Sequence, residues 1–240
     1  MRRVFIADAH LAVPEDHNYG LLLDFLSGLR GNTHTLYILG DLFEFWIGYD
    51  ATCFPHYRLV LDQLANLAAT GTAIVYFEGN HDFHLGSYFT GTLGAAVYPD
   101  PSVLDIDGKR FHICHGDQIN MKDYGHRLLR SMLHSRFSRL LIPLFPSGLA
   151  CLTARYLSGR SKRKHGERNT RWDYRTLLER YADSHFRDGC DAVVTAHFHL
   201  PFISRRHNGP EKTLLSVGDW ITQFSYGELK DGALSLHRFR

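Results

Sequence analysis

The chain has 240 residues, of which 44% are hydrophobic and 22% charged, and its net charge is +2. That length suits one compact domain with room for an inserted subdomain, and the composition excludes a mostly disordered chain, a low-complexity protein and a repeat array. No run approaches the roughly 18 apolar residues of a membrane-spanning helix, so contact with lipid is expected to be peripheral.

The small net charge hides an uneven distribution. Twelve of the 27 lysines and arginines lie between Arg127 and Arg175 against only Glu167 and Asp173, so that segment carries +10 and the remainder −8. Such a block suggests an anionic partner on one face, against the plainer reading of a solvated charged surface. The opening MRRVFIADAH breaks its apolar stretch at Asp8 and offers no signal-peptide core, so the protein is expected in the cytoplasm. Cys53, Cys114, Cys151 and Cys190 are scattered without a CxxC pair, which fits reduced thiols.

Val4 to Ala7 is a short apolar run ending in polar residues, and Leu36 to Leu39 and Ala73 to Phe77 repeat it; each reads as a buried strand. Between them, Tyr19 to Leu29 and Tyr57 to Ala69 carry apolar residues at helical spacing, which makes a βαβαβ opening. Val103 to Ile106 and Arg110 to Cys114 read as strands joined by a turn at Asp107-Gly108, where parallel winding stops. From Tyr124 to Tyr181 the pattern is helical and interrupted by Pro143, Pro146 and Gly148; it reads as a helical cap inserted at 122–184 into a single domain of 1–240. Ala192 to Thr195, Phe202 to Ser204, Thr213 to Val217 and Ala233 to Arg238 are again strand-like. An α/β protein with a two-layered β core flanked by helices follows.

Chemistry-bearing residues cluster just after these strands. Asp8-Ala9-His10 follows the first, Gly40-Asp41 the second and Gly79-Asn80-His81-Asp82 the third; His115-Gly116-Asp117 and His197-Phe198-His199 follow the strands ending at Cys114 and Thr195. The C-terminal strand edge of an α/β sheet forms the ligand crevice, where residues far apart in sequence meet. Asp8, His10, Asp41, Asn80, His115, His197 and His199 then supply seven oxygen or nitrogen donors, a set without thiolate that suits Mn²⁺, Fe²⁺ or Zn²⁺. One metal would leave donors unused. Two metals roughly 3.5 to 4 Å apart, bridged by one carboxylate and sharing a hydroxide, would use them all for in-line attack on phosphorus. Gly40, Gly79 and Gly116 are expected to let the backbone turn sharply beside the cations. A lone DxH or HxH is more often a surface pair than a ligand set, but five such fragments in this order rarely arise by chance.

DAH, GDLFE, GNHDF, HGD and HFH resemble the signature of the calcineurin-like metallophosphoesterases across the whole core. The resemblance implies a four-layer α/β/β/α sandwich, with Asp8, His10, Asp41 and His199 on one metal and Asp41, Asn80, His115 and His197 on the other. Asp41 would bridge. It also implies that His81 sits beside the substrate phosphate as a hydrogen-bond or proton donor, with Asp82 as its orienting partner. More narrowly, GDLFEFWIGYD at 40–50, GNHDFHLG at 79–86 and HGDQIN ahead of a helical insert are similar to the UDP-2,3-diacylglucosamine pyrophosphatases of lipid A synthesis. That resemblance implies two divalent ions, foremost Mn²⁺, and cleavage at the α-phosphorus to give UMP and a diacylglucosamine 1-phosphate. It further implies that the insert covers the acyl chains. Here the insert is apolar from Leu128 to Leu152 and basic from Arg155 to Arg175, which suits an amphiphile with an anionic head.

The chain departs from that narrower family at His81, where arginine is usual, and at Tyr49, where a second acidic residue is usual. It also has Leu200 in TAHFHLP where the family has the arginine of HGHTHRP. His81 restores the general superfamily pattern, so a phosphodiester or phosphomonoester substrate stays open. The other eleven histidines have no motif around them, and most of them read as surface residues. Phe43, Phe45, Trp46 and Tyr49 read as packing at the core rim in preference to substrate stacking. The basic run Arg160 to Lys164 lacks interleaved aromatics, which argues against nucleic acid as partner. A nuclease or cyclic-nucleotide phosphodiesterase would need an open basic groove, and a non-catalytic metal scaffold would have no need of a positioned proton donor. A nucleotide-linked lipid is therefore the leading substrate.

Overall fold

The computed structural model describes residues 1–48, 54–135, 137–138, 173–207 and 209–239. The proline-broken middle of the expected cap, the basic run Arg160 to Lys164 and Tyr49 lie outside them.

The first half contains β1 (Arg3–Ile6), α1 (His17–Gly28), β2 (Thr35–Ile38), the short β3 (Trp46–Ile47), α2 (Arg58–Ala69), β4 (Ala73–Phe77), the short β5 (Asp82–Phe83) and β6 (Ala96–Tyr98). There follow β7 (Ser102–Ile106), β8 (Lys109–Ile113), α3 (Tyr124–Leu133), α4 (Tyr174–Arg187), β9 (Ala192–Thr195), β10 (Phe202–Arg206), β11 (Lys212–Ser216), β12 (Ser225–Lys230) and β13 (Ala233–Arg238). One sheet has the order β13-β12-β1-β2-β4-β6, and β1, β2, β4 and β6 run parallel in it. The second has the order β10-β11-β9-β8-β7, with β8, β9 and β11 parallel.

Alternation along each strand builds the layers, because successive side chains leave opposite faces. Val4 and Ile6 of β1 pack with Leu22, Phe25 and Leu26 of α1 and Leu61, Leu64 and Leu67 of α2. Phe5, between them, faces the other way and joins Tyr37, Phe77, Phe111, Val194 and Leu215 in the core between the sheets. On the far side of the second sheet, Val193 and Leu214 meet Leu178, Ala182 and Phe186 of α4. The result is the expected α/β/β/α arrangement, with central strands apolar on both faces.

Three details differ from the sequence reading. Helix α4 is part of the outer core layer, so the expected cap boundary at 184 falls inside a helix that covers the second sheet. Strand β12 has no apolar run to mark it, because its sequence, SYGELK, alternates buried and part-exposed positions with small or polar side chains. Its Gly227 lets the second sheet approach, since a β-carbon there would come within 2.6 Å of Leu215 Cδ2. Finally, His112 is buried under α4, 2.8 Å from the Tyr181 hydroxyl, and burial, then the neighbouring His185, pushes its pKa down to about 4. His134 is half-buried, its side chain 9% exposed. Phe43 and Trp46 are buried in one aromatic cluster with Phe54, Tyr57 and Phe89, so they pack the core.

Candidate metal centre

The loops after β1, β2, β4, β8 and β9 are knitted to one another by main-chain bonds. Asp8 N donates to Gly40 O at 3.1 Å, His10 N to Asp41 O at 3.0 Å, Trp46 N to His81 O at 2.9 Å and Ala196 N to His115 O at 2.8 Å. One further bond joins the two sheets across the site: His197 N donates to Asp8 Oδ2 at 2.8 Å. Holding five loops this closely strains them. Asp8, His10, Asp41, His197 and His199 all have positive φ, between 45° and 69°. For non-glycine residues that conformation costs on the order of 1 to 3 kcal/mol each and persists where the surroundings over-determine it, commonly at functional sites. Gly40 also has a positive φ, of 84°. Gly79 serves differently from the turn expected of it: a β-carbon there would stand 2.1 Å from Asp41 Oδ1, so its role is close approach.

The donors converge as two groups. In the first, His115 Nδ1 donates to Leu39 O at 2.6 Å, which leaves Nε2 as a lone-pair acceptor when the ring is neutral. That Nε2 lies 3.1 Å from Asn80 Oδ1, 3.2 Å from His197 Nδ1 and 3.4 Å from Asp41 Oδ2. Acceptors facing acceptors at this range repel unless a proton or a cation lies among them. In the second group His10 Nε2 is 3.7 Å from Asp41 Oδ2 and 3.9 Å from Asp8 Oδ1, while His199 Nε2 is 4.0 Å from the same Asp8 atom. Asp8 Oδ1 is buried and makes no hydrogen bond among the described residues. Asp41 Oδ2 is common to both groups. All seven donors expected from the sequence are therefore brought together, in two sets that a pair of cations fits.

The electrostatics agree with that reading. Burial raises the Asp8 carboxyl, and Asp41 adds to the rise. Burial alone would lower the His115 imidazole, but the Asp41, Asp8 and Asp117 carboxylates outweigh it and raise it to about 10. A buried carboxylate–imidazole cluster of this kind is balanced by holding protons or by holding metal, and both follow from the same excess of acceptors.

Behind the second group stand two carboxylates that the sequence reading passed over. Glu44 Oε2 is 3.5 Å from His10 Nδ1, and Asp219 Oδ2 is 3.2 Å from His199 Nδ1. Each faces the nitrogen turned away from the centre, the arrangement that fixes a ligand imidazole's tautomer and orientation. Asp219 is itself held by the N–H groups of Ile221, Thr222 and Gln223. Burial would raise its pKa, but His199 and these donors bring it down to about 2. Both had a signal: Glu44 lies in GDLFE, and Gly218-Asp219 follows a strand as Gly40-Asp41 does.

Asp82 takes another place than the one the sequence implies. It was expected to orient His81, but the ring of His81 is set by Glu44, whose main-chain oxygen lies 2.8 Å from Nδ1. Asp82 instead accepts from the N–H groups of Asp41 (2.9 Å), Leu42 (2.7 Å), Phe43 (3.3 Å) and Gly79 (3.1 Å) and from the Tyr76 hydroxyl (2.6 Å). Burial and then the Asp41 carboxylate push its pKa up to about 7, against the pull of Tyr76 and the main-chain donors. Its place is under the Asp41 loop, as the clasp that shapes it.

The profile of the family described as calcineurin-like phosphoesterase matches residues 1–201. The chain belongs to that family. Members use a dinuclear divalent-metal centre, and among the described residues three groups could hold a metal ion: Asp8, His10 and His199; Asp41, His115 and His197; and His10, Glu44 and His81. Among curated relatives, a protein of Pseudomonas entomophila named UDP-2,3-diacylglucosamine hydrolase is 32% identical, with 90% of each chain covered. Proteins of the same name from Aeromonas salmonicida and Photorhabdus laumondii are each 30% identical; the first alignment covers 94% of this chain and 88% of the relative, the second 100% and 99%. Among solved structures, one described as a novel archaeal phosphodiesterase superposes with a TM-score of 0.51 at 14% identity over 99% of both chains, which shows the shared fold. As a calcineurin-like phosphoesterase the chain is a metal-dependent hydrolase. No helix among the described residues is long and apolar enough to cross a membrane.

Proposed function

We propose that this phosphoesterase hydrolyses UDP-2,3-diacylglucosamine at the α-phosphorus, releasing UMP and 2,3-diacylglucosamine 1-phosphate, with two divalent ions, foremost Mn²⁺. The carrying observation is the convergence of Asn80, His115, His197 and Asp41 on one point as mutual acceptors, in a chain aligned nearly end to end with relatives of that name. In this reading Asp8, His10, Asp41 and His199 would hold one ion and Asp41, Asn80, His115 and His197 the other, with Asp41 common to both. Bound there, two dications would neutralise charge on the phosphoryl oxygens and acidify a water nucleophile. The chain's own residues do the rest. Glu44 and Asp219 keep the His10 and His199 rings turned with Nε2 to the centre, and Asp82 holds the Asp41 loop in its strained shape. Because a carbonyl only accepts, His81 Nδ1 carries a hydrogen toward Glu44 O, and Nε2 is the nitrogen that meets the substrate phosphate.

The lipid part of the substrate falls to the insert. Tyr124, Leu128, Leu129, Met132 and Phe137 are each more than half exposed, an apolar surface at the start of the cap that acyl chains would cover. The same surface would give the protein, acting in the cytoplasm, its peripheral hold on the membrane.

Each buried methylene contributes about 0.8 kcal/mol, so affinity should rise steeply with acyl length if the insert binds the chains. Assayed with UDP-diacylglucosamine analogues of increasing chain length at fixed detergent, kcat/KM is expected to climb across the series. A flat series, or faster cleavage of a soluble deacylated nucleotide, would contradict the lipid assignment and favour a nucleotide phosphodiesterase, the reading left open by His81 in place of arginine.

A further inference from the structure

The first helix of the insert, α3, is held to the core in a way that apolar docking does not explain. It leaves Leu128, Leu129 and Met132 more than half exposed and turns two polar residues inward. Arg130 and His134 stand one turn apart, so they leave the same face of the helix. Arg130 is 11% exposed in its side chain; Nε donates to Oδ2 of Asp117, which is 3% exposed, and its other nitrogens reach Pro99 O at 3.1 Å and Asp100 at 3.6 Å. His134 lies with Nδ1 3.7 Å from Glu78 Oε2 and its ring 5.0 Å from that of Phe83. Glu78 is fixed from the other side, Oε1 accepting from Leu85 N at 3.0 Å. His84 Nε2, next to Phe83, lies 3.0 Å from the Leu133 carbonyl at the end of the helix.

The partners of these two side chains occupy equivalent places. Asp117 is two residues beyond His115, and Glu78 is two residues before Asn80. His115 and Asn80 belong to the same donor group, their Nε2 and Oδ1 atoms 3.1 Å apart. The other group has its own supports, Glu44 behind His10 and Asp219 behind His199, and neither comes from the insert. A buried charged pair such as Arg130–Asp117 contributes little net stability for its burial but holds geometry tightly, and breaking it leaves an uncompensated charge, while His134, its pKa pushed down to about 3 by burial and then by Arg130, stands against Glu78 as a neutral ring. That is a poor way to rest a helix on a core and an effective way to fix two loops.

We propose that Arg130 and His134 are positioning residues for the metal held by Asn80 and His115, so that docking of α3 and occupancy of that one metal are coupled. The inference rests on the two-metal reading above. Coupling of this sort is reciprocal: seating the helix tightens the metal, and the metal seats the helix. The first metal, on Asp8, His10 and His199, is indifferent to both residues.

The test is a calorimetric titration of metal-stripped, full-length protein with Mn²⁺. The variants are Arg130→Met and His134→Ala, the conservative Arg130→Lys and His134→Gln, and Asn80→Ala as the marker of the site. Wild type is expected to show two binding events. Arg130→Met and His134→Ala should each weaken one of them by about 10-fold or more, the lower end of what lost outer support costs a metal site. The weakened event should be the one that Asn80→Ala removes, and the conservative variants should recover part of it. Two unchanged events would overturn the proposal. So would a parallel loss of both, which together with a lowered Tm of the metal-free variant would mark a general fold defect. A single event in wild type would instead overturn the two-metal reading itself, and this inference with it.

Discussion

Replacing Asp41 by alanine is expected to abolish turnover and strip metal from the protein in one step. Its Oδ2 is the atom shared by the two donor groups, 3.4 Å from His115 Nε2 and 3.7 Å from His10 Nε2, and its Oδ1 accepts from His81 N at 2.9 Å. The surroundings are built around this one carboxylate. Asp82 holds its main-chain N–H, the backbone takes a φ of 52°, and Gly79 approaches so closely that any β-carbon would strike it. A bridging carboxylate neutralises both cations and sets their separation, so no neighbour can substitute for it. Asp41→Asn keeps the volume but not the charge, and should fail in the same way. Metal content after gel filtration and kcat on the same sample decide the matter; both metals retained at a near-normal rate would remove Asp41 from the bridge.

His81→Ala is expected to separate chemistry from metal binding. The His81 main-chain N–H, which holds Asp41, survives the change, and the ring makes its hydrogen bond to Glu44 O. Metal content should therefore stay at the wild-type level while kcat falls by about 10² to 10⁴, the usual range for loss of a positioned acid or charge beside the reacting group. His81→Arg brings back the residue usual in the lipid family and should recover activity toward the nucleotide lipid. An unchanged kcat in the alanine variant would take His81 out of the mechanism.

Much of this site was legible in the sequence because of where polar residues fall. Asp8, Asp41, Asn80, His115 and His197 each come within a few residues of the C-terminal end of an apolar strand, and strand ends in a parallel sheet share one edge. The layers were legible for a related reason, since runs such as Val4 to Ala7 are apolar at every position and need cover on both faces. What stayed hidden depends on contacts between distant segments. Asp82 sits beside His81 in sequence, yet β5 pairs with β3 and lays its carboxylate under the Asp41 loop. Spacing alone could not separate an orienting partner from a clasp. His112 and His134 read as surface residues because no motif surrounds them; their burial comes from α4 and from the Glu78–Phe83 segment packing over them. Arg130 was counted only as part of a basic block, although its partner Asp117 stands in the HGD motif itself. Asp219 shows the reverse case, a Gly-Asp after a strand with the same signal as Gly40-Asp41, and the structure gives it a supporting role behind His199.

In the proposed reaction, water attacks the α-phosphorus of a nucleotide-linked lipid. Hydrolysis of UDP-2,3-diacylglucosamine by the Mn²⁺-loaded protein in ¹⁸O-enriched water, followed by mass analysis of both products, tests that directly. One ¹⁸O atom is expected in UMP and none in the diacylglucosamine 1-phosphate. Label in the sugar phosphate, or no cleavage of the nucleotide lipid by a preparation that hydrolyses a soluble phosphodiester, would contradict it.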